Sequence, residues 1–327
     1  MVRLAIKERD VLRQPPPKEP PWYTSRRIGI HTSTAGGVEL AAERAYRLGC
    51  NTFQIFSTSP RQWKPYEISV RQAAAIAALR EKYELKPLVV HANYLINLAA
   101  VNPEFHRMSV EAFRGEVLRS LLLNAEYLVV HPGSFRGMSR EAGLEEVAAS
   151  IAEATRGLNL ESRDLTILLE NTAGAEFSLG GSFEQVAELR QKLYGIVPVA
   201  VCIDTCHTHV AGYDILSQAG FEATLARLDA TVGLKNVRVW HCNDAKTTRG
   251  SRLDRHQHIG EGTIGLEPFR RLLNDQRTAH AAFIAETPID EPGDDRRNVG
   301  ILKRLVRDKS LQERRGSTGK VVKSKAS

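Results

Sequence analysis

No stretch of eighteen consecutive apolar residues occurs in the chain, so no segment reads as a membrane-spanning helix. The opening MVRLAIKERDVLRQPPPKEPPWY lacks the apolar middle of a secretory signal, and its acids Glu8, Asp10 and Glu19 are out of place in an organelle transit peptide. Cysteine is scarce: four in 327 residues do not build a disulfide framework. The expected setting is therefore reducing, intracellular and cytoplasmic. A glycine-rich phosphate loop is also missing, because HTSTAGG after the first apolar run is not a GxGxxG fingerprint. What the chain does have is 42% hydrophobic residues, enough for a sizeable core in one large or two ordinary domains.

The net charge of +7 is unevenly spread. From Lys303 onward there are nine basic residues and two acids; from Met1 to Arg27 there are seven and three. The span between is slightly acidic. A basic excess points to nucleic acid in general, but here it sits in two tails. Residues 1–26, with PPPKEPP, read as a flexible Pro-rich extension. Residues 308–327 read as a basic, disordered tail. The span 27–307 reads as a single folded domain.

Within that span one pattern repeats. A short apolar, β-branched run is followed by a helical pattern. The runs are RIGIHTS, TFQIFST, PLVVHA, YLVVHPG, TILLENT, VAVCIDTCH, VRVWHCND and AAFIAETP. Helical patterns follow over 36–48, 69–83, 103–124, 140–157, 182–194, 213–229, 266–275 and 296–307. Continuous apolar strands are buried on both faces, which means a parallel sheet under helices. Eight strand–helix units in this length predict an α/β fold of the (β/α)8 TIM-barrel type; a doubly wound open sheet is the alternative.

Seven of the eight runs end in His, Asp or Glu: His31, His91, His131, Glu170, Asp204, His241 and Glu286. One strand-end histidine usually just packs and hydrogen-bonds. Seven groups at the same end of a barrel converge on its mouth, where catalytic groups sit in this fold. Imidazoles mixed with carboxylates suit zinc or manganese. Glu170, on the fifth strand, is the natural bridge between two ions. In the later loop, Asp254 and His256 are two residues apart and share a face of an extended segment. With His207 they form a third three-ligand set, for which His258 competes with His256. Cys202 reads as a small hydrophobe in an apolar strand, and Cys242 should point away from the mouth by alternation. Carboxylate and imidazole are thus preferred to thiolate, and His209 reads as a loop residue.

At this point the chain resembles the endonuclease IV family of apurinic/apyrimidinic endonucleases. The stretches are GIHTSTAGG, STSPRQWKP, VVHANYLINLA, VVHPGS, LLENTAG, CIDTCHTHVAGYD, HCNDAKTTRGSRLDRHQHIGEGTIG and IAETP, in family order over roughly residues 27–306. The resemblance implies three zinc ions per chain, with manganese as an alternative in part of the site. One would be held by His91, His131 and Glu170. A second would be held by Glu170, Asp204, His241 and Glu286, and a third by His207, Asp254 and His256. It implies that Arg61, Tyr94 and Leu95 enter DNA at the lesion, and that Glu170, Glu286 and His131 carry the catalysis. Ala92 and Asn93 stand where many members carry polar residues including an acid, and Ser57–Pro60 is an unusual version of its loop.

The implied activity is DNA repair in base excision: hydrolysis of the phosphodiester 5′ to an abasic site in duplex DNA. The products would be a 3′-hydroxyl and a 5′-deoxyribose phosphate. An abasic nucleotide has no base to unstack, so extruding it is cheap, and an aromatic and apolar wedge fills the gap. Lys64, Lys246, Arg249, Arg252 and Arg255 fall on mouth loops able to meet phosphates. Alternatives are a sugar isomerase or epimerase on a similar barrel, a UV-damage endonuclease, and a lesion-binding protein that does not cut. No element reads as an oligomer seam, so a monomer is the expectation.

Overall fold

The computed structural model describes residues 10–17, 21 and 23–307. The basic tail expected from residue 308, and much of the Pro-rich extension, lie outside the described residues. Eight parallel strands follow one another: β1 (Arg27–Ile30), β2 (Phe53–Phe56), β3 (Leu88–His91), β4 (Tyr127–Val130), β5 (Thr166–Glu170), β6 (Val199–Asp204), β7 (Val237–His241) and β8 (Ala282–Ala285). The helices are α1 (Leu40–Leu48), α2 (Val70–Lys82), α3 (Pro103–Leu122), α4 (Arg140–Thr155), α5 (Phe183–Leu193), α6 (Thr205–Val210), α7 (Gln218–Thr231), α8 (Leu266–Asn274) and α9 (Asp294–Leu305). None is long and apolar enough to cross a membrane.

Strands pair in the order β2 to β8 and then back to β1. The remaining gap between β1 and β2 is bridged at His31 and Gln54, with Thr32 N donating to Gln54 O at 2.8 Å and Asn51 N to Ile28 O at 3.1 Å. The expected (β/α)8 barrel is therefore the fold. The seam depends on Gly29: a Cβ there would lie 2.1 Å from the Thr52 carbonyl oxygen.

Two apolar layers follow from strand alternation. Val89, Val129, Leu168, Ala200, Cys202, Val239, Ala282 and Ile284 form a cluster inside the barrel. Residues of opposite parity, such as Leu88, Val90, Ile167 and Leu169, join the larger layer beneath the helices. Two residues beyond the inner Val89, Val129, Leu168, Cys202, Val239 and Ile284 come His91, His131, Glu170, Asp204, His241 and Glu286. The polar ends therefore continue the inward face above a dry apolar plug.

Local chemistry sets where helices begin. Ser69, Asn102, Ser139, Ser182 and Ser217 cap α2, α3, α4, α5 and α7, each accepting from a backbone N–H. The helix expected over 36–48 starts later, at Leu40. Gly36, with φ of 87°, cannot continue a right-handed helix, which leaves a loop over 31–39. An additional helix, α6, opens directly at the end of β6, capped by Asp204 accepting from His207 N at 2.8 Å. His209, expected in a loop, lies in this helix instead and is buried.

Filling the seam tests this architecture. Gly29→Ala should lower unfolding stability by about 1–3 kcal/mol, the usual cost of overpacking, measured by urea denaturation. A loss under about 0.5 kcal/mol would show that β1 and β2 do not approach as described.

Candidate metal centre

Glu170 ends β5 with its side chain wholly buried. Its Oε2 lies 3.1 Å from His91 Nε2 and 3.0 Å from His131 Nε2. Its Oε1 lies 2.9 Å from His241 Nδ1. His241 Nδ1 is also 3.3 Å from Glu286 Oε2. Beside this cluster, His207 Nε2 is 3.2 Å from Asp254 Oδ2, and His256 Nε2 is 3.2 Å from Asp254 Oδ1 and 3.7 Å from Asp204 Oδ2. Among the described residues five groups have donor atoms all within 4.8 Å of one another, and three of them contain no cysteine: His91, His131 and Glu170; Glu170, Asp204, His241 and Glu286; and His207, Asp254 and His256. They are the three sets that the resemblance implies.

Hydrogen bonds on the far side of each ring decide which nitrogen faces the cluster. His91 Nδ1 donates to Ala92 O at 2.8 Å, His207 Nδ1 to Asn171 O at 2.8 Å, and His256 Nδ1 to Glu286 O at 3.1 Å. A carbonyl only accepts, so each Nδ1 holds a proton, and each Nε2 faces a carboxylate with either a second proton or a metal ion required between them. His241 is reversed. Its Nε2 donates to Gln54 Oε1 at 2.8 Å, leaving the Nδ1 lone pair toward Glu170 and Glu286. The His256 Nε2 is buried and, though 3.2 Å from Asp254 Oδ1, makes no well-aligned hydrogen bond among the described residues. Lone pairs facing carboxylates are stable only with positive charge between them. Tetrahedral zinc ligands stand about 3.4 Å apart, close to the separations here, so the residues fit divalent ions.

The charges agree. Burial opposes protonation of His207, yet Asp204, Asp254 and Glu170 push it up to about 10. His256 goes up to about 9 against burial, through Asp254, Asp204 and Glu286. Burial would raise Glu170, but His241 and His131 hold it well below the carboxylate range. The cluster attracts cations, whether protons or metal.

Several orienting residues escape a reading of sequence. Gln54 binds His241 through Oε1, and its Nε2 contacts Glu286 Oε1 and His31 Nδ1. A glutamine inside the apolar run TFQIF is the available signal. Asn243 Nδ2 donates to Asp204 Oδ2 at 2.6 Å, and its Oδ1 accepts from Glu286 N at 2.7 Å. Asn171 Oδ1 accepts from Asp204 N at 2.7 Å. Ala92 in place of a polar residue does not unseat His91, because the Ala92 carbonyl performs the orientation.

Other expected residues divide. His258 lies apart, with Nδ1 3.0 Å from Asn298 Nδ2 and Nε2 3.6 Å from Asp290. His31 meets Gln54 and stands 3.8 Å from Glu286. Cys202 and Cys206 each fall within a donor group, but burial pushes the Cys202 thiol up to about 12 and raises Cys206 as well. Cys242 belongs to the outer layer. Tyr94 is 59% exposed, edge-on to Phe56 at 5.0 Å and 5.9 Å from His91. Asn93 Nδ2 donates to Ser59 O and Gln62 O, and its Oδ1 accepts from Leu95 N. This ties the loop of the exposed Arg61 to that of Tyr94 and Leu95. Lys64, Lys246, Arg249, Arg252 and Arg255 are exposed, and Arg249 lies 3.3 Å from Asp214.

Two grooves accompany the centre. One, of about 840 Å³, is walled by residues 31–38 and 56–60 with Gln62, Lys64, Pro65, Tyr66 and Ile289. Another, of about 730 Å³, lies among Gly174–Glu176, Ala211–Asp214 and α7, with Arg140, Arg227 and Arg252 on its walls.

A family model for xylose isomerase-like TIM barrels matches residues 42–305. A probable endonuclease 4 of Solibacter usitatus (strain Ellin6076) is 49% identical over 285 residues, 86% of this chain and 98% of that protein. The probable endonuclease 4 of Chloroflexus aggregans (strain MD-66 / DSM 9485) is 42% identical over 290 residues, 86% of this chain and 98% of that protein. Among solved structures, endonuclease IV from Thermus thermophilus superposes with a TM-score of 0.77 at 39% identity, covering 88% and 99% of the two chains. A D-tagatose 3-epimerase-like protein, 21% identical with a TM-score of 0.62 over 89% and 99%, shares the fold.

Raised histidines imply competition between protons and metal. Zinc binding to the metal-stripped protein at pH 7.5 should release about two protons from His207 and His256, and affinity should fall as pH falls from 8 to 6. Calorimetry in buffers of different ionisation enthalpy measures both. Binding without proton release, at pH-independent affinity, would contradict the charge arrangement.

Proposed function

The chain belongs to the endonuclease IV family and is a nuclease of the AP-endonuclease kind, and on that premise we propose that it hydrolyses the phosphodiester 5′ to an abasic site in duplex DNA, leaving a 3′-hydroxyl and a 5′-deoxyribose phosphate. The observation that carries this reading is the third donor group, His207, Asp254 and His256, beside the Glu170-centred pair. A sugar isomerase on this barrel is expected to need fewer ions and does not account for that group or for the linked Arg61 and Tyr94 loops.

The ions proposed are zinc, three per chain, with manganese as the alternative in part. His91, His131 and Glu170 would hold one; Glu170, Asp204, His241 and Glu286 another; His207, Asp254 and His256 the third. Bound there, divalent ions supply neutralisation of phosphodiester oxygens, a lowered water pKa and stabilisation of a leaving oxygen. The protein's own groups do the rest. Glu170, shared by two sets, keeps their donors at a fixed spacing. His131, about a third exposed, is the member of its set most open to substrate. Glu286, held by Gln54 and by the backbone bond to Asn243, orients the attacking water.

Recognition is assigned to the rim. Tyr94 and Leu95 fill the space left by the missing base, and Arg61 enters beside them from the loop that Asn93 secures. This placement lets the extruded sugar–phosphate approach His131 and Asp254 while the duplex arms follow the two grooves. Exposed Lys64, Lys246, Arg252 and Arg255 meet the backbone. Such contacts make binding steeply salt-dependent. The protein is proposed to act as a monomer.

Incubating the full chain with a duplex carrying one abasic site, with and without chelator, tests the reading. One nick 5′ to the site is expected without chelator and none with it, while part of the duplex affinity survives. Glu170→Gln should lose bound metal and reduce turnover on the order of 10²-fold or more. Full cleavage by protein proven metal-free by elemental analysis would refute the proposal. Cutting a photoproduct duplex but not the abasic one would select a UV-damage endonuclease instead.

A further inference from the structure

The family match begins at residue 42, yet residues ahead of β1 reach the wall of a groove. Arg44, on the second turn of α1, is 5% exposed. Its Nε donates to Asp10 Oδ1 at 3.0 Å and its Nη2 to Asp10 Oδ2 at 2.5 Å. The same guanidinium donates from Nη1 to Ser33 O at 2.9 Å and from Nη2 to Ala35 O at 2.8 Å. Asp10 also accepts from Leu12 N at 3.1 Å, which closes the turn Val11–Arg13. Val11 is 4% exposed and joins the outer core. Farther along α1, Arg47 donates to Gln14 O at 3.0 Å. The segment Asp10–Gln14 thus lies along α1, with Asp10 nearest the barrel mouth.

Ser33 and Ala35 belong to the 31–39 loop, which walls the 840 Å³ groove leading from His31. This loop contains Gly36 and Gly37 at φ of 87° and 147°. Two such glycines permit many backbone conformations; inside the loop only the short-range bonds of Ala35 N to Ser33 Oγ and Gly37 N to Thr34 O, both at 3.1 Å, oppose them, so contacts from outside add to the selection of one. Arg44 does so by binding two of its carbonyls. Arg44 is itself fixed by a bidentate carboxylate in a nearly dry setting, where planar fork geometry leaves little freedom. Removing Asp10 leaves a buried guanidinium without its counter-charge, free to turn away from Ser33 and Ala35.

We propose that Asp10 is a positioning residue: acting through Arg44, it holds the Ser33–Gly37 wall of the groove in the shape that grips substrate. The segment before the barrel is then part of the binding apparatus, although it touches none of the metal-ligand candidates. That the gripped substrate is abasic duplex rests on the function proposed above. The clamp itself does not.

The test compares Asp10→Ala, Asp10→Glu and Val11→Ala, each as the full metal-loaded chain. Hydrogen exchange is followed over 31–39 without DNA, and KM, kcat, melting temperature and metal content are measured with abasic duplex as substrate. In Asp10→Ala, amides of residues 33–37 should exchange about tenfold faster. KM should rise about fivefold, with kcat within about twofold of the parent and metal content unchanged. Asp10→Glu should restore part of both losses. Val11→Ala should lower the melting temperature without either local effect. Unchanged exchange over 33–37 in Asp10→Ala, or a KM that follows melting temperature equally in Asp10→Ala and Val11→Ala, would overturn the proposal. Inactivity of the parent on abasic duplex would sink the proposed function, and the exchange data alone would then decide on the clamp.

Discussion

A single carboxylate governs the mouth of this barrel. Glu170 is cut off from water and surrounded by the imidazoles of His91, His131, His207 and His241, with His207 Nδ1 at 3.5 Å. An isolated carboxylate in that position would be prohibitively costly. Neutral imidazoles do not relieve the cost, because most of their ring protons are committed outward to Ala92, Asn171 and Gln54. Glu286, Asp204 and Asp254 add further negative charge. The arrangement is coherent only with cations in it, and the upward shift of His207 and His256 expresses the same demand through protons.

The fold meets this demand through strand geometry. Inward residues one layer down are apolar, so the donors rest on a dry plug and cannot sink. The six donors His91, His131, Glu170, Asp204, His241 and Glu286 extend the inward parity of their strands, and a second ring of amides, Gln54, Asn171 and Asn243, fixes orientation from behind. Because α6 starts at the very end of β6, Asp204 serves as both helix cap and donor, and His207 arrives one turn later. The centre therefore inherits the rigidity of the barrel. The surrounding loops are longer and carry the exposed groups, Arg61, Tyr94 and the basic residues, that a large polyanionic substrate requires.

Much of this is legible in the chain itself. Eight apolar runs, seven of them ending in His, Asp or Glu, announce a barrel and its mouth, because alternation and strand closure are consequences of local pattern. Periodicity does not choose between His256 and His258. The choice depends on the turn that brings residues 256–257 back to pair with 244–245, which points His258 toward Asn298 and α9. The role of Gln54 is hidden because one polar residue in a strand has many explanations until its partners, 187 and 232 residues away, are in view. Helix α6 escapes the pattern because a strand and a helix share the CIDTCH run without a linker. The involvement of Asp10 depends on a contact with Arg44 that no local signal encodes.

Anomalous diffraction at the zinc edge from crystals of the zinc-loaded protein locates the cations around Glu170. Three separate peaks are expected, one within each of the three cysteine-free donor groups, with Glu170 touching two of them. A single peak, or peaks that leave Glu170 without an ion on either oxygen, would contradict this arrangement.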